Sequence, residues 1–396
     1  MLETDPARDM TRAPDELPFN EALEPFDEHN QRLQGYVHPA DWVNPEPQER
    51  YHLVVIGGGT AGLVSAIVAA GLGARVALIE RDLMGGDCLN VGCVPSKGVI
   101  SAARAWDRRR RIPFGAPEAQ GPGDFGKVME RMRRLRADIS HIDGAQRFTD
   151  AGVDVFLGEG RFVSGDAVEV GGARLRYRKA VICTGARAAA PPIPGLAEVD
   201  YLTNESLFSL TELPRRFAVI GAGPIGCEMA QSFARFGSEV TVLDMAPQVL
   251  PREDADAAAV VQKALSDDGI RLELGVAIER VEAEGGATTI HFTRTEADGV
   301  ESAGQVECDA LLVAVGRKPN VESLDLEKVG VEFDRTGVVT DQRLRTTNKR
   351  IFAAGDVTQG LKFTHLADAH AGIVLQNALF FGRAKQQNLV VPWCTY

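Results

Sequence analysis

The sequence predicts an α/β protein carrying two nucleotide-binding folds in series, and three observations predict it. The chain has 396 residues, 44% of them hydrophobic and 25% charged. That is the composition of a globular protein and more chain than one core usually organises. The stretch "HLVVIGGGTAGLVSAIVAAGLGARVALIE" (52–80) reads as apolar strand, glycine loop, helix and apolar strand, a βαβ unit with a buried parallel sheet. The same order returns in "RFAVIGAGPIGCEMAQSFARFGSEVTVLD" (216–244), and both stretches place 23 positions between the first loop glycine and the closing acid, Gly57 to Glu80 and Gly221 to Asp244.

The remaining elements fall around these two units. Residues 1–50 hold 12 Asp and Glu against 4 Arg and are expected to form an acidic, partly disordered arm, with "NEALEPFDEHNQRLQGYV" (20–37) its one candidate helix. Residues 101–147 read as helical around a proline and glycine loop near 113–126. The basic runs Arg108–Arg111 and "RMRRLR" (131–136) are expected to be solvated faces. Short alternating strands follow from 153 to 185, ending in "KAVICTGA". After the joint "APPIPG" and the second unit come strands and a charged hairpin up to "DALLVAVGRKPN". The stretch "TTNKRIFAAGDVTQGLKFTHLADAHAGIVLQNALF" closes the globular part as strand, loop and helix.

The net charge of -12 argues against nucleic acid and anionic membrane surfaces as partners. No run of about 18 apolar residues occurs, and the acidic N-terminus is unlike a signal peptide. Six cysteines in the whole chain are too few for a disulfide-stapled secreted scaffold. These features predict a cytoplasmic protein, in which any disulfide would be catalytic or sensing.

The context of the two glycine loops makes them phosphate cradles. Gly57, Gly59 and Gly62 follow a strand and open a helix, and so do Gly221, Gly223 and Gly226. Glycine permits the tight turn and the approach of backbone to pyrophosphate at the positive helix end, and the acid accepts hydrogen bonds from ribose hydroxyls. Two dinucleotide sites suggest electron transfer between two cofactors, and a nicotinamide with a flavin suits the arrangement. Asp244 would repel a 2'-phosphate and "DMAPQ" (244–248) offers no arginine, so NADH is favoured over NADPH.

Between the loops lies "GGDCLNVGCVPSK" (85–97). On one regular helix, Cys88 and Cys93 would stand at least about 7.5 Å apart, beyond the Cα separation of about 7 Å that a disulfide allows. Closure therefore needs an irregular helix start, for which Gly92 supplies the freedom. A thiol at a helix N-terminus has its thiolate stabilised, and Lys97 shares a helix face with Cys93. Two buried reduced cysteines, or half of a metal site, are the alternatives; no second Cys or His pair lies nearby, which weakens the metal reading.

Together and in this order, "GGDCLNVGCVPSK", "GAGPIGCE", "AVGRKPN" and "IFAAGDV" resemble the FAD-dependent pyridine nucleotide:disulfide oxidoreductases, the family of dihydrolipoamide dehydrogenase, glutathione reductase and mercuric reductase. The resemblance covers roughly residues 50–396, and "VPWCTY" with the cysteine segment looks most like the mercuric reductase branch. It implies two Rossmann-like nucleotide-binding domains of the three-layer ββα type. The FAD-binding domain would comprise 51–195 and 321–388, with an NAD-binding domain, 196–320, inserted in it. FAD would sit on Gly57, Gly59, Thr60, Ala61 and Gly62, with Glu80 on its ribose and Arg81, Gly86, Asp87, Gly160, Thr184, Gly185 and Gly316 around it. Gly355 and Asp356 would lie near the ribityl and phosphates, and a helix starting at Phe363–Leu366 would bring His365, Leu366 and Ala367 to the pyrimidine end of the flavin. NADH would sit on Gly221, Gly223, Pro224, Ile225, Gly226 and Asp244.

The same resemblance implies Cys93 as the flavin-facing thiol, Cys88 as the outer thiol that attacks substrate, Lys97 near the flavin N5 and Glu228 as its acidic partner. Electrons would pass from NADH through FAD to a Cys88–Cys93 disulfide, and on to a small-molecule disulfide, quinone or metal-ion acceptor. Three departures from the family pattern stand out. Asp87 occupies a position where many relatives carry threonine. Residues 389–396 are expected to open a truncated dimerisation domain, so a homodimer is expected only of a longer chain, and none of the seven histidines matches the family's catalytic one. No cysteine occurs in residues 1–50, where mercuric reductases often carry a metal-binding Cys-x-x-Cys; no resident metal is expected. The alternative reading is a redox-responsive flavin- and NADH-binding regulatory protein, which the acidic arm would suit as a docking element.

Overall fold

The computed structural model describes residues 23–110, 123–295 and 299–396. By contacts the chain divides into two compact units. A flanking unit takes residues 26–101, 127–189 and 316–396, and an inserted unit consists chiefly of 190–315 with the described parts of 102–126.

In the flanking unit five parallel strands lie in the order Val153–Leu157, Val76–Glu80, Tyr51–Ile56, Ala173–Ile182 and Ile351–Ala353. Leu53–Ile56, Val76–Ile79, Ala180–Ile182 and Ile351–Ala353 are apolar without alternation, as strands covered on both faces must be; all of Val76–Glu80 is buried. The long strand Ala173–Ile182 serves twice. Its first half pairs antiparallel with Ala167–Val170, which pairs with Gly160–Ser164, while its second half joins the parallel sheet. That first half alternates, burying Leu175 and Tyr177 and exposing Arg174 and Arg176, the pattern of a sheet with one wet face. Tyr51, Phe156, Phe162 and Tyr177 build the core beneath it.

The inserted unit repeats the plan. Parallel strands run in the order Arg271–Leu274, Glu239–Asp244, Arg216–Ile220 and Ala310–Val313, and the antiparallel strands Val276–Glu284, Ala287–Thr295 and Glu301–Cys308 intervene before the last. In both units the third, second, first and fourth parallel strands lie side by side, with an antiparallel excursion leading into the fourth. The 23-position repeat in sequence thus corresponds to a repeat in topology.

Two expectations need correction. The first 22 residues lie outside the described ones, but the rest of the acidic segment is folded. Asp27 caps the helix Glu28–Val37 by accepting from the His29 and Asn30 amides, and Leu33 and Val37 are fully buried. Trp42 Nε1 donates to the Val155 carbonyl at 3.2 Å, and Asn44 both donates to and accepts from Leu157, at 3.0 and 2.7 Å. The segment therefore satisfies the edge strand Val153–Leu157, whose backbone groups would otherwise be open. The run 131–136 is not uniformly solvated either: on the helix Phe125–Ser140, Arg131 and Arg134 are exposed while Arg133 and Arg136 are buried. Positions three apart lie on one helix face, and this face meets the helix 28–37, where Arg133 Nε finds Asp27 Oδ2 at 2.6 Å. Of the run 108–111, Arg108 is exposed; the side chains of the others lie outside the described residues, as does most of the expected loop at 113–126.

Candidate active site

The first glycine loop turns from the strand Tyr51–Ile56 into the helix Thr60–Gly71. Gly57 has φ +106°, and a Cβ on it would stand 2.4 Å from the Cys183 carbonyl oxygen, so only glycine serves. A Cβ on Gly62 would come within 1.8 Å of the Gly57 carbonyl oxygen, which fixes how closely helix and strand pack. Glu80, at the end of the next strand, accepts the Gly58 amide at 2.5 Å and the Asp82 amide at 2.7 Å. Burial, the largest influence, raises its carboxyl to about 7. Gly59 caps the helix, and its empty Cβ position has only the Gly86 Cα within 4 Å, at 3.7 Å. These residues form a cradle that a side chain would fill, with an ionisable acceptor beside it, and they fit a dinucleotide.

The two cysteines lie on either side of a helix break, with Gly86–Asn90 before it and Cys93–Arg110 after it. The irregular start expected from spacing is this break at Val91–Gly92. Gly92 contributes room more than unusual torsions, since a Cβ there would stand 2.7 Å from the Asp87 carbonyl oxygen and 3.6 Å from Cys88 Cα. Both thiols are free in this structure; Cys93 is exposed and Cys88 half-buried. The Thr364 hydroxyl, at the first residue of the helix Thr364–Leu379, lies 3.4 Å from Cys93 Sγ. A hydrogen bond from the Cys88 thiol is the largest influence bringing Cys93 down to about 6; the Thr364 hydroxyl, the Lys97 charge and the Cys93 amide assist, against desolvation. The same hydrogen bond, with burial, pushes the Cys88 thiol far above the ordinary thiol range. The helix start, the Thr364 hydroxyl and the Lys97 charge all favour negative charge on Cys93.

Asp87 has a partner that sequence reading missed. The Arg317 guanidinium donates to Asp87 Oδ2 and to the Ala186 carbonyl, and its Nε lies 3.9 Å from Asp356 Oδ2. One cation therefore joins the cysteine helix, the strand Ala186–Ala188 and the turn Gly355–Val357. Burial raises the Asp356 carboxyl, an effect that Arg317 and Lys362 oppose. Asn320 holds Thr184, donating to its carbonyl at 2.8 Å and accepting from its hydroxyl at 2.6 Å, and its amide donates to the Gly185 carbonyl at 3.0 Å. Arg317 and Asn320 both belong to "GRKPN", a motif that had been read for its family likeness alone.

The other expected cofactor residues divide. A Cβ on Gly355 would lie 3.2 Å from the Ala61 side chain and 3.3 Å from that of Ala367, so three predicted positions distant in sequence meet where the two helices cross. Leu366 is buried, and His365 is exposed and stacked on Phe363 with ring centroids 5.3 Å apart. Gly316 has φ +147° and follows the last strand of the inserted unit. Arg81 is exposed and pairs with Asp82 at 2.9 Å. Gly160 starts an antiparallel strand and is buried, with its Cβ position 3.0 Å from Ile79, so packing accounts for it. Lys97 lies in the flanking unit, with Nζ 4.5 Å from the Tyr396 ring centroid; Glu228 is buried on the helix Pro224–Phe236 of the inserted unit.

The second loop matches the first. Gly221 has φ +110°, a Cβ on Gly226 would fall 1.9 Å from the Gly221 carbonyl oxygen, and nothing lies within 4 Å of the Gly223 Cβ position. Asp244 accepts the Ala222 amide at 2.6 Å and the Ala246 amide at 2.7 Å. Gly223 caps the helix, Pro224 occupies its first turn and Ile225 is exposed beside it, leaving the helix end accessible to a ligand. Among the described residues no cluster of His, Cys, Asp or Glu could hold a metal ion, and no helix is long and apolar enough to cross a membrane.

Two glycine cradles, each closed by an acid, and a pair of neighbouring thiols at a helix break are the features this geometry sets out. Residues 51–371 match the family model described as pyridine nucleotide-disulphide oxidoreductase, and the chain belongs to that family of FAD-dependent oxidoreductases. It is 37% identical over 348 residues to a mercuric reductase of Staphylococcus aureus, covering 87% of this chain and 63% of that protein. With a dihydrolipoyl dehydrogenase of Acholeplasma laidlawii it shares 33% identity over 85% of this chain and 98% of the relative. A solved structure, the Cu(II) complex of the HOCl-induced flavoprotein disulfide reductase RclA from Escherichia coli, superposes with a TM-score of 0.74 at 33% identity, over 85% of this chain and 72% of that one. The chain spans 56% and 63% of the lengths of the mercuric reductases from Bacillus cereus and S. aureus.

Proposed function

We propose that this chain passes electrons from NADH, through FAD, to a Cys88–Cys93 disulfide and on to a disulfide or metal-ion acceptor. Residues 51–195 and 321–388 would form the FAD-binding domain, Rossmann-like and with Glu80 at the ribose. The inserted residues 196–320 would form a second Rossmann-like domain that binds NADH at Asp244. Bound FAD would supply the two-electron link between nicotinamide and disulfide. The protein's own part is to hold the thiols. In the reduced pair the Thr364 hydroxyl, the Lys97 charge and the neighbouring Cys88 would favour the thiolate on Cys93, and Cys88 would keep the proton. Cys88 is the proposed attacking thiol toward the acceptor, Lys97 is the proposed cation near the flavin, and Glu228 keeps the acidic role that the family resemblance implies. The names of the relatives, mercuric reductase and a disulfide reductase solved with Cu(II), support the acceptor class.

The observation carrying this reading is the placement of Cys93 at the start of its helix, across the break from Cys88 and with its Sγ 3.4 Å from the Thr364 hydroxyl at the start of another. The test is anaerobic NADH titration of the FAD-loaded protein. A long-wavelength thiolate-to-flavin charge-transfer band should form in wild type and in Cys88→Ser, and should be lost in Cys93→Ser. Absence of the band in wild type, or its survival in Cys93→Ser, would refute the reading.

A further inference from the structure

The folded part of the N-terminal segment lies before the residues that the family model matches, yet it reaches the cysteine break. Arg136 is fully buried, and so is Asn30. Its Nη2 donates to Asn30 Oδ1 at 2.6 Å, and its Nη1 donates to the Asn90 carbonyl at 2.6 Å. Asn90 is the last residue of the helix that carries Cys88, where carbonyls lack intrahelical partners. Its side chain returns to the same segment, donating to the Gly86 carbonyl at 2.9 Å and the Met84 carbonyl at 3.1 Å. The break that lets the two sulfurs meet is therefore bounded on one side by Gly92, packed on the Asp87 carbonyl, and on the other by Asn90, held through Arg136 to Asn30.

We infer that Asn30 is a positioning residue for the redox pair, acting through Arg136 and the Asn90 carbonyl to fix the end of the Cys88 helix. A buried guanidinium is costly unless its donors are satisfied. Removing the Asn30 oxygen takes one acceptor from the Arg136 guanidinium, the same group that holds the helix end at the Asn90 carbonyl. Loosening that end separates the thiols. Cys93 loses the support of its neighbouring thiol, and the pair closes to a disulfide less readily.

This inference rests on the redox reading of Cys88 and Cys93, and the experiment separates the two. On the full FAD-loaded chain, Asn30→Ala, Asn30→Asp and Arg133→Gln are compared with wild type. The readouts are the pH midpoint of Cys93 alkylation, the dithiol–disulfide equilibrium against dithiothreitol, and the melting temperature. In that equilibrium dithiothreitol gives two electrons and two protons to the protein disulfide and closes to its own cyclic disulfide. Arg133→Gln is the control, because Arg133 ties the same two helices together through Asp27. Asn30→Ala should raise the alkylation midpoint by about one pH unit and shift the equilibrium about tenfold toward the dithiol, ~30 mV for a two-electron couple. Asn30→Asp, which keeps an oxygen for Arg136, should stay near wild type, and Arg133→Gln should lower only the melting temperature. If Asn30→Ala does not fold, Asn30→Ser, whose shorter oxygen leaves the guanidinium out of reach, is scored by the same expectations. Wild-type midpoint and equilibrium in the alanine (or serine) variant, with a lowered melting temperature alone, would overturn the inference. Failure of wild type to form any Cys88–Cys93 disulfide would instead overturn the reading beneath it.

Discussion

The two glycine loops share a backbone and differ in what stands over them. Gly57 and Gly221 have φ within a few degrees of each other, and Gly62 and Gly226 have almost the same distance to their carbonyls. Glu80 and Asp244 accept amides at the same two relative positions. Over the first loop, however, lies the cysteine segment: Gly86 Cα is 3.7 Å from the Gly59 Cβ position, and the Gly85 amide donates to the Gly58 carbonyl at 2.8 Å. Nothing within 4 Å faces the Cβ position of Gly223, and Asp244 is less buried than Glu80. An enclosed loop suits a cofactor that stays, and an open loop suits one that arrives and leaves. The difference lies in the neighbours of the loop, and the loop motif is alike in both.

The harshest way to break the comparison is to fill the shared steric position. In Gly62→Ala and Gly226→Ala the new methyl would stand less than 2 Å from a carbonyl oxygen, so backbone must move, at about 1–3 kcal/mol for such overpacking. Gly62→Ala should be purified without FAD, read from the ratio of flavin to protein absorbance. Gly226→Ala should retain FAD but lose NADH-dependent flavin reduction by about a hundredfold or more, since roughly 2.7 kcal/mol of binding corresponds to that factor. Loss of FAD from Gly226→Ala, or NADH reduction unchanged in it, would show that the two loops do not divide the cofactors in this way.

These outcomes also bear on what the sequence alone could reveal. The glycine loops were legible because a positive φ and a close carbonyl leave one residue type, and the spacing to the acid follows from strand and helix lengths. The thiol pair was legible as a geometric problem, and the break between its helices is the solution. Arg317 was not, because its partner Asp87 stands 230 positions away and no local pattern links a strand-end arginine to a helix-start acid. Arg136 was misjudged for a related reason. In a run of basic residues a solvated helix face is the ordinary outcome, and only the packing of residues 26–37, themselves read as part of an arm, decides that two of those arginines turn inward. Gly160 adds a packing need that no local pattern announces, since its Cβ position meets Ile79 of another strand.

A milder intervention targets the enclosure itself. Arg317 holds the cysteine segment over the first loop by its bond to Asp87, yet Asp87 is 44% exposed against 19% for Arg317, so water screens much of the pair. Arg317→Gln should weaken FAD retention by about fivefold to tenfold, ~1 kcal/mol, measured as the flavin dissociation constant in ultrafiltration. The dissociation constant for NADH should stay within about twofold, the scatter expected for a site whose contacts are unchanged. Equal losses at both sites would mean that Arg317 supports the fold generally and that enclosure does not distinguish the loops.

A pH dependence confined to the enclosed loop is expected as well. Burial lifts the Glu80 carboxyl from 4.5 to about 7, so between those values the folded apoprotein holds a proton that the unfolded chain releases. The stability this gives is fully present below pH 4.5 and is lost as pH rises through 7, an effect of about 3.4 kcal/mol at most. Ribose hydroxyls donating to the carboxylate favour its charged form, so FAD binding should expel that proton. Affinity for FAD should then rise by up to about tenfold from pH 6 to 7.5, and Glu80→Gln, which holds no titrating proton, should flatten the profile while lowering affinity throughout. A slope that survives in Glu80→Gln would assign the proton elsewhere, with Asp356, also raised by burial, the next group to replace.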